Sequence, residues 1–190
     1  STELPSDFVL TALVEFQDKG LVLLPTHRLI LHYPGFEKAQ ALQVLSRYFQ
    51  VKTVAGEELK TWSRQTVPFE KWIKGQPSLG LILEGREAYQ LTLADLESAK
   101  KMLPPGKAKI WYRLEVAILS HLILAQLWDL PQNKWEVALR YTHNENEAEA
   151  AVQKGTAKAA FLLQAPPVEI LREVGKAREL MPQKSTYFYP

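Results

Sequence analysis

Between residues 79 and 93 the chain reads Leu-Gly-Leu-Ile-Leu-Glu-Gly-Arg-Glu-Ala-Tyr-Gln-Leu-Thr-Leu. Two short apolar runs, 79–83 and 88–93, flank Glu84-Gly85-Arg86-Glu87. Runs of this length around a short connection that contains glycine predict an antiparallel hairpin. Toward the C-terminus, residues 94–103 read as a short helix closed by Pro104-Pro105-Gly106. Residues 111–128 follow as a long helix. Its apolar positions, including Leu114, Ala117, Ile118, His121, Leu122, Ala125 and Leu127, wrap most of the circumference, the pattern of a helix buried on several sides. Residues 135–141 read as a strand. Asn144 with Glu147 three residues on resembles a capping box for a helix over 145–154, which Gly155 stops. Residues 159–163 form a compact apolar strand, a last helix runs from Pro167 to about Leu180, and 184–189 are extended or looped.

Toward the N-terminus, Trp62, Phe69, Trp72 and Ile73 predict one broken helix over 56–77, with Pro68 at or near a helix start. Residues 51–54 are a short strand. Phe36, Ala39, Leu42, Leu45 and Phe49 recur at helical spacing, giving a helix over 36–49. Residues 8–16 and 21–24 read as two strands joined at Asp18-Lys19-Gly20, a second hairpin. The reading is an α/β fold: a mixed sheet, with β-hairpins in the first half, alternating strand and helix in the second, and helices on the sheet faces. It is taken as a single domain over 1–190, with a sub-boundary near 104–107.

Composition narrows the function classes. The 190 residues are 46% hydrophobic and 23% charged, which excludes wholesale disorder and a rod. The net charge is +2; residues 1–100 carry 11 basic and 12 acidic side chains and residues 101–190 carry 12 and 9, so no basic footprint for nucleic acid stands out. There is no cysteine, which removes disulfides, a thiol nucleophile and cysteine-based metal sites. No apolar run approaches the roughly 20 residues of a spanning helix, so no membrane partner is expected. The first residues lack a signal-peptide pattern, and the expected location is cytoplasmic.

The chemistry-bearing clusters are few. No Walker or Rossmann glycine spacing occurs, and no histidine pair has zinc-hydrolase spacing; no metal site is expected. Thr26-His27-Arg28, at the end of an apolar strand, offers a hydroxyl, an imidazole and a guanidinium suited to an anion, or else a solvated turn with Arg28 paired to a carboxylate. Lys184-Ser185-Thr186, followed by Tyr187-Phe188-Tyr189, offers a cation and hydroxyls for phosphate and ring faces for a base, or else a terminal segment docked by its aromatics. Glu115 sits near a helix start, where a carboxylate caps. Glu145, Glu147 and Glu149 read as a solvated helix face.

These clusters also carry a family resemblance. Residues 20–29 (Gly-Leu-Val-Leu-Leu-Pro-Thr-His-Arg-Leu), 113–119, 160–163 (Ala-Phe-Leu-Leu) and 181–190 (Met-Pro-Gln-Lys-Ser-Thr-Tyr-Phe-Tyr-Pro) resemble, in order and approximate spacing, segments of the family catalogued as domain of unknown function 1015. Gln164-Ala165-Pro166 stands where the family has Asn-Pro-Thr, and Glu115 where it usually has Asp. Full-length members have a preceding half with an Asp-Gly-His-His-Arg motif, similar to the ParB and sulfiredoxin superfamily, which includes a free-serine kinase that uses ADP. That motif is absent, so the resemblance implies a C-terminal half. It further implies the C-terminal domain of a nucleotide-dependent phosphotransferase. Thr26, His27, Arg28, Lys184, Ser185 and Thr186 would be its phosphate or anion contacts, in a site completed by its own N-terminal half. A nucleotide, ATP or ADP with magnesium, would act only in the full-length protein, and no general base is assignable. The alternative is a non-catalytic small-molecule-binding, structural or interaction module. Substrate and oligomeric state are not legible in the sequence.

Overall fold

A computed structural model describes residues 22–31 and 36–189, together with positions 13, 15 and 18. Apart from positions 13, 15 and 18, the expected strand over 8–16 and its hairpin turn lie outside the described residues.

The hairpin forms as its pattern requires. Strands β4 (Ser78–Leu83) and β5 (Glu87–Leu93) pair antiparallel from Ser78 opposite Thr92 to Leu83 opposite Glu87. The turn between them needs positive φ at both Gly85 (88°) and Arg86 (64°), and glycine takes the first without a Cβ clash. Around this hairpin grows a six-stranded sheet. It adds β3 (Phe49–Val54), β7 (Ala159–Leu162), β2 (His27–Ile30) and β6 (Leu139–Thr142) in the order β3-β5-β4-β7-β2-β6. Every pairing in it is antiparallel. A separate two-stranded ribbon pairs β1 (Val22–Pro25) with β8 (Thr186–Tyr189).

Alternation along the strands builds two cores. Ile30, Leu79, Leu81, Leu83, Leu91, Leu93, Ala159 and Phe161 face one layer, covered by the 118–127 helical segment and by α1 (Lys38–Leu45). Leu29, Ile82, Ala88, Ala160 and Leu162 face the other, beneath α2 (Gly56–Arg64) and α7 (Glu145–Gln153). A sheet buried on both faces explains why β4 and β7 are continuously apolar. Gly80 allows the close approach of α2: a Cβ there would lie 3.0 Å from Leu59 Cδ1 and 3.1 Å from Leu162 Cβ. A third cluster joins Trp72 on α3 (Phe69–Lys74) to Trp111, Leu114, Val116, and to Ile170 and Val174 on α8 (Glu169–Lys176).

Several local expectations are corrected. Residues 111–128 are not one α-helix. A 3-10 turn at Trp111–Arg113 is followed by extended Leu114 (ψ 120°), the short α5 (Glu115–Ala117), and a π-helical segment at Ile118–Leu127. The wide turn closes with the Trp128 N–H donating to Ile123 O at 2.9 Å. An apolar run buried all round presents no single face to align, so its periodicity does not distinguish α from π winding. His121 is partly buried, its ring centroid 5.5 Å from that of Trp111. The expected strand at 135–141 divides into α6 (Trp135–Ala138) and β6. Asp95 caps α4 (Leu96–Lys100), accepting from the N–H groups of Glu97 and Ser98. Asn144 caps α7 through Asn146 and Glu147 N–H, half of the expected box. The helices at 36–49 and 167–180 are shorter than their patterns, at 38–45 and 169–176.

Candidate functional site

The sequence reads Thr26-His27-Arg28 as the polar end of the apolar strand over 21–24. Instead β1 pairs with β8, while residues 27–30 form a strand of their own between β7 and β6. Thr26, His27 and Arg28 are therefore buried, at 3%, 1% and 2% exposure. Alternation turns neighbouring side chains to opposite faces, so His27 and Arg28 do not present to one ligand.

His27 faces α7. Its Nδ1 accepts the Leu163 N–H at 3.2 Å, which leaves Nε2 to carry the proton, 4.0 Å from Glu145 Oε2. Burial lowers its pKa to about 4 against the opposing pull of Glu145, so the ring is neutral near pH 7. Glu145 also pairs with Arg64, and Glu149 with the buried Lys60 at 2.7 Å. These carboxylates, expected on a solvated face, tie α7 to α2.

Arg28 points the other way. Its Nη1 donates to Thr26 O, and its Nη2 to Lys184 O at 2.8 Å and Gln183 O at 3.5 Å. The guanidinium also lies 5.7 Å from the Tyr141 ring centroid. Burial lowers its pKa to about 10, and it remains a cation at neutral pH. The structure thus brings the two sequence clusters together: Pro25 is opposite Thr186 in the ribbon, and Arg28 grips the turn that precedes it. In that turn Lys184 is exposed and adopts φ 56°, while Ser185 is buried with its hydroxyl donating to Pro182 O.

A second constellation was missed by the sequence reading. A cavity of about 140 Å³ is lined by Trp62, Lys71, Trp72, Arg113, Glu115 and Gln164 among others. Glu115 stands in the first turn of α5, as expected, and is also a partly buried acid. Its Oε1 accepts from Trp72 Nε1 at 3.0 Å, and burial raises its pKa to about 7. Arg113 Nη2 donates to Trp72 O at 3.0 Å and to Gly75 O, and its guanidinium lies 5.5 Å from the Trp72 ring centroid. Arg113 Nε is buried with no acceptor among the described residues. The only signal in the sequence was an acid two residues from a cation beside a tryptophan-rich segment, and that does not reveal burial. Among the described residues no group of three or more His, Asp or Glu side chains is placed to hold a metal ion, and no helix is long and apolar enough to cross a membrane.

The α/β/α layers and these residues can now be set beside known proteins. The model of the family described as "Protein of unknown function (DUF1015)" matches residues 1–117, and the chain belongs to that family. The match includes 20–29 and reaches into 113–119; segments 160–163 and 181–190 lie beyond it. No curated protein matches the chain. Among solved structures, a conserved hypothetical protein from Pyrococcus furiosus superposes with a TM-score of 0.52 at 18% identity, covering 93% of this chain and 59% of that one. A mutant free serine kinase in complex with AMP gives 0.52 at 15% identity, over 93% and 57%; its complex with ADP gives 0.52 at 14%, over 94% and 58%. The chain thus spans less than three fifths of the structures it resembles, and at these identities the likeness is one of fold.

Proposed function

We propose that this chain is one lobe of a nucleotide-dependent phosphotransferase, presenting the 184–186 turn to a phosphate group in a site completed by its own N-terminal half. The observation that carries the reading is the way Lys184 is held. A buried arginine is committed to its carbonyl, and a non-glycine residue is kept at positive φ, an arrangement that costs about 1–2 kcal/mol. The result is an exposed lysine whose backbone is fixed in the turn. The fold likeness to free serine kinase, solved with AMP and ADP, supports a nucleotide as the source of the phosphate. Arg28, with its terminal nitrogens on carbonyls, positions the turn. His27 serves the α7 interface, which leaves Lys184 and Thr186 as the proposed contacts; Thr26 and Ser185 are buried.

A second reading, a non-catalytic module, is favoured by the same commitment of Arg28 to backbone carbonyls, because a lock between β1, β2 and β8 needs no ligand. Calorimetric titration of ADP and of inorganic phosphate into the full-length protein and into its Lys184→Ala form separates the two. Saturable ADP binding that the substitution weakens at least tenfold supports the first. No binding, or equal binding by both proteins, leaves the lock. The isolated chain is expected to show no nucleotide turnover; turnover well above background, abolished by Arg28→Ala, would contradict that.

A further inference from the structure

A cleft of about 480 Å³ opens where α3 and α8 begin. Clefts that hold small molecules run from roughly 300 to 1,000 Å³ and are mostly apolar, with a few polar groups. The cavities beside Phe36 and Glu115, at about 160 and 140 Å³, fall short of that range. The walls of the larger cleft come from three separated stretches of chain: Leu23 on β1, Val67 and Phe69 at the start of α3, and Pro166, Pro167 and Val168 leading into α8. Proline fixes φ on the last of these walls, so little backbone freedom is lost when a guest settles against it.

The charge of the cleft has one sign. Among the described residues its ionisable lining groups are Glu70, in the first turn of α3, and Glu169, in the first turn of α8; no Lys, Arg or His lines it. Elsewhere the fold pairs its partly buried acids, Glu145 with Arg64, Glu149 with Lys60 and Glu179 with Lys107. Glu70 and Glu169 form no ion pair among the described residues. Arg172, one helical turn from Glu169, pairs with Glu173 instead. The helix dipole favours a carboxylate in a first turn. It does not account for two, from different helices, lining one apolar cleft with no counter-cation.

We propose that this cleft binds a small organic amine, whose apolar body packs on Phe69 and the 166–168 wall and whose ammonium group is held by the Glu70 and Glu169 carboxylates. An apolar body set beside the carboxylates displaces water and lowers the local dielectric, which strengthens the attraction between the charges. A guest of the same shape with a carboxylate in place of the amine is repelled.

The test is a calorimetric titration of the full-length protein with tryptamine and with indole-3-propionate, which share a ring system and carry opposite charges. Tryptamine is expected to bind saturably, and indole-3-propionate about tenfold more weakly or not at all. Amide shifts on adding tryptamine are expected at 66–70 and 165–169. The double variant Glu70→Gln, Glu169→Gln is expected to weaken tryptamine severalfold and to bind indole-3-propionate more tightly than wild type does, a gain that loss of fold would not produce. No saturable tryptamine binding, equal affinity for the two ligands, or a double variant with both affinities unaltered would overturn the proposal. Absent binding together with protection of Phe69 from hydroxyl-radical labelling would assign the cleft to another part of the full-length chain. No nucleotide takes part in these titrations, so this proposal and the phosphotransferase reading fail separately.

Discussion

Replacing Arg28 with methionine and with lysine should rank the two variants in an order opposite to their chemical likeness. Arg28 spans three carbonyls, those of Thr26, Gln183 and Lys184, from a position at 2% exposure. Methionine removes the bonds and strands the Thr26 and Lys184 carbonyls, at about 1–3 kcal/mol for each that stays buried. It also removes a buried charge whose depressed pKa, about 10 against 12.5, corresponds to roughly 3 kcal/mol of desolvation. These oppose each other, and a net loss of about 1–3 kcal/mol is expected. Lysine keeps the buried charge. Its single ammonium lacks the planar fork that reaches Thr26 O and Lys184 O together, so the loss should be about 3–5 kcal/mol, that of a poorly compensated buried ion. Urea unfolding followed by tryptophan fluorescence gives the global values. Amide exchange gives the local one: protection at residues 186–189, paired with β1, should fall in both variants more than protection in β4 and β5. Arg28→Lys more stable than Arg28→Met, or unchanged exchange at 186–189, would refute the strut assigned to Arg28.

Four further outcomes follow from buried groups and from a turn. Glu115 has a raised folded pKa of about 7, so its contribution to stability is complete below about pH 4.5 and lost as pH rises to 7; Glu115→Gln should gain up to about 3 kcal/mol on wild type between those limits in pH-dependent unfolding. His27 has a depressed folded pKa of about 4, so its contribution is present above pH 6.5 and lost as pH falls toward 4; His27→Gln should flatten that acid limb, by up to about 3 kcal/mol. Gly80→Val should lower stability by about 1–3 kcal/mol through overpacking on Leu59 and Leu162, seen as a lower urea midpoint, whereas Gly85→Ala should act through the φ of 88° alone.

What the sequence made legible was what repeats locally. The 79–93 hairpin, the compact apolar strand at 159–163, the Asn144 cap and the Pro68 start all depend on neighbours in the chain, and each is present. The convergence of 26–28 with 184–186 was also expected, although by a different route. The link is the β1–β8 ribbon and the Arg28 bonds. What stayed hidden depends on distant burial. Thr26-His27-Arg28 reads as a polar strand end, and only β7, α7 and the 183–184 turn, all more than 110 residues away, supply the partners that let these groups enter a sheet interior. The π winding of 118–127 was hidden because the run is apolar on all sides. The raised pKa of Glu115 was hidden because it comes from burial, in a wall that Trp72, 43 residues earlier, shares.

The most direct test of a phosphate site at the Arg28-held turn is a two-dimensional amide NMR titration of the full-length protein with ADP. The expected result is a saturable set of shifts centred on Thr26, Lys184, Ser185 and Thr186, lost in Lys184→Ala. Shifts confined to residues remote from this turn, or no shifts at saturating ADP, would contradict the proposed site.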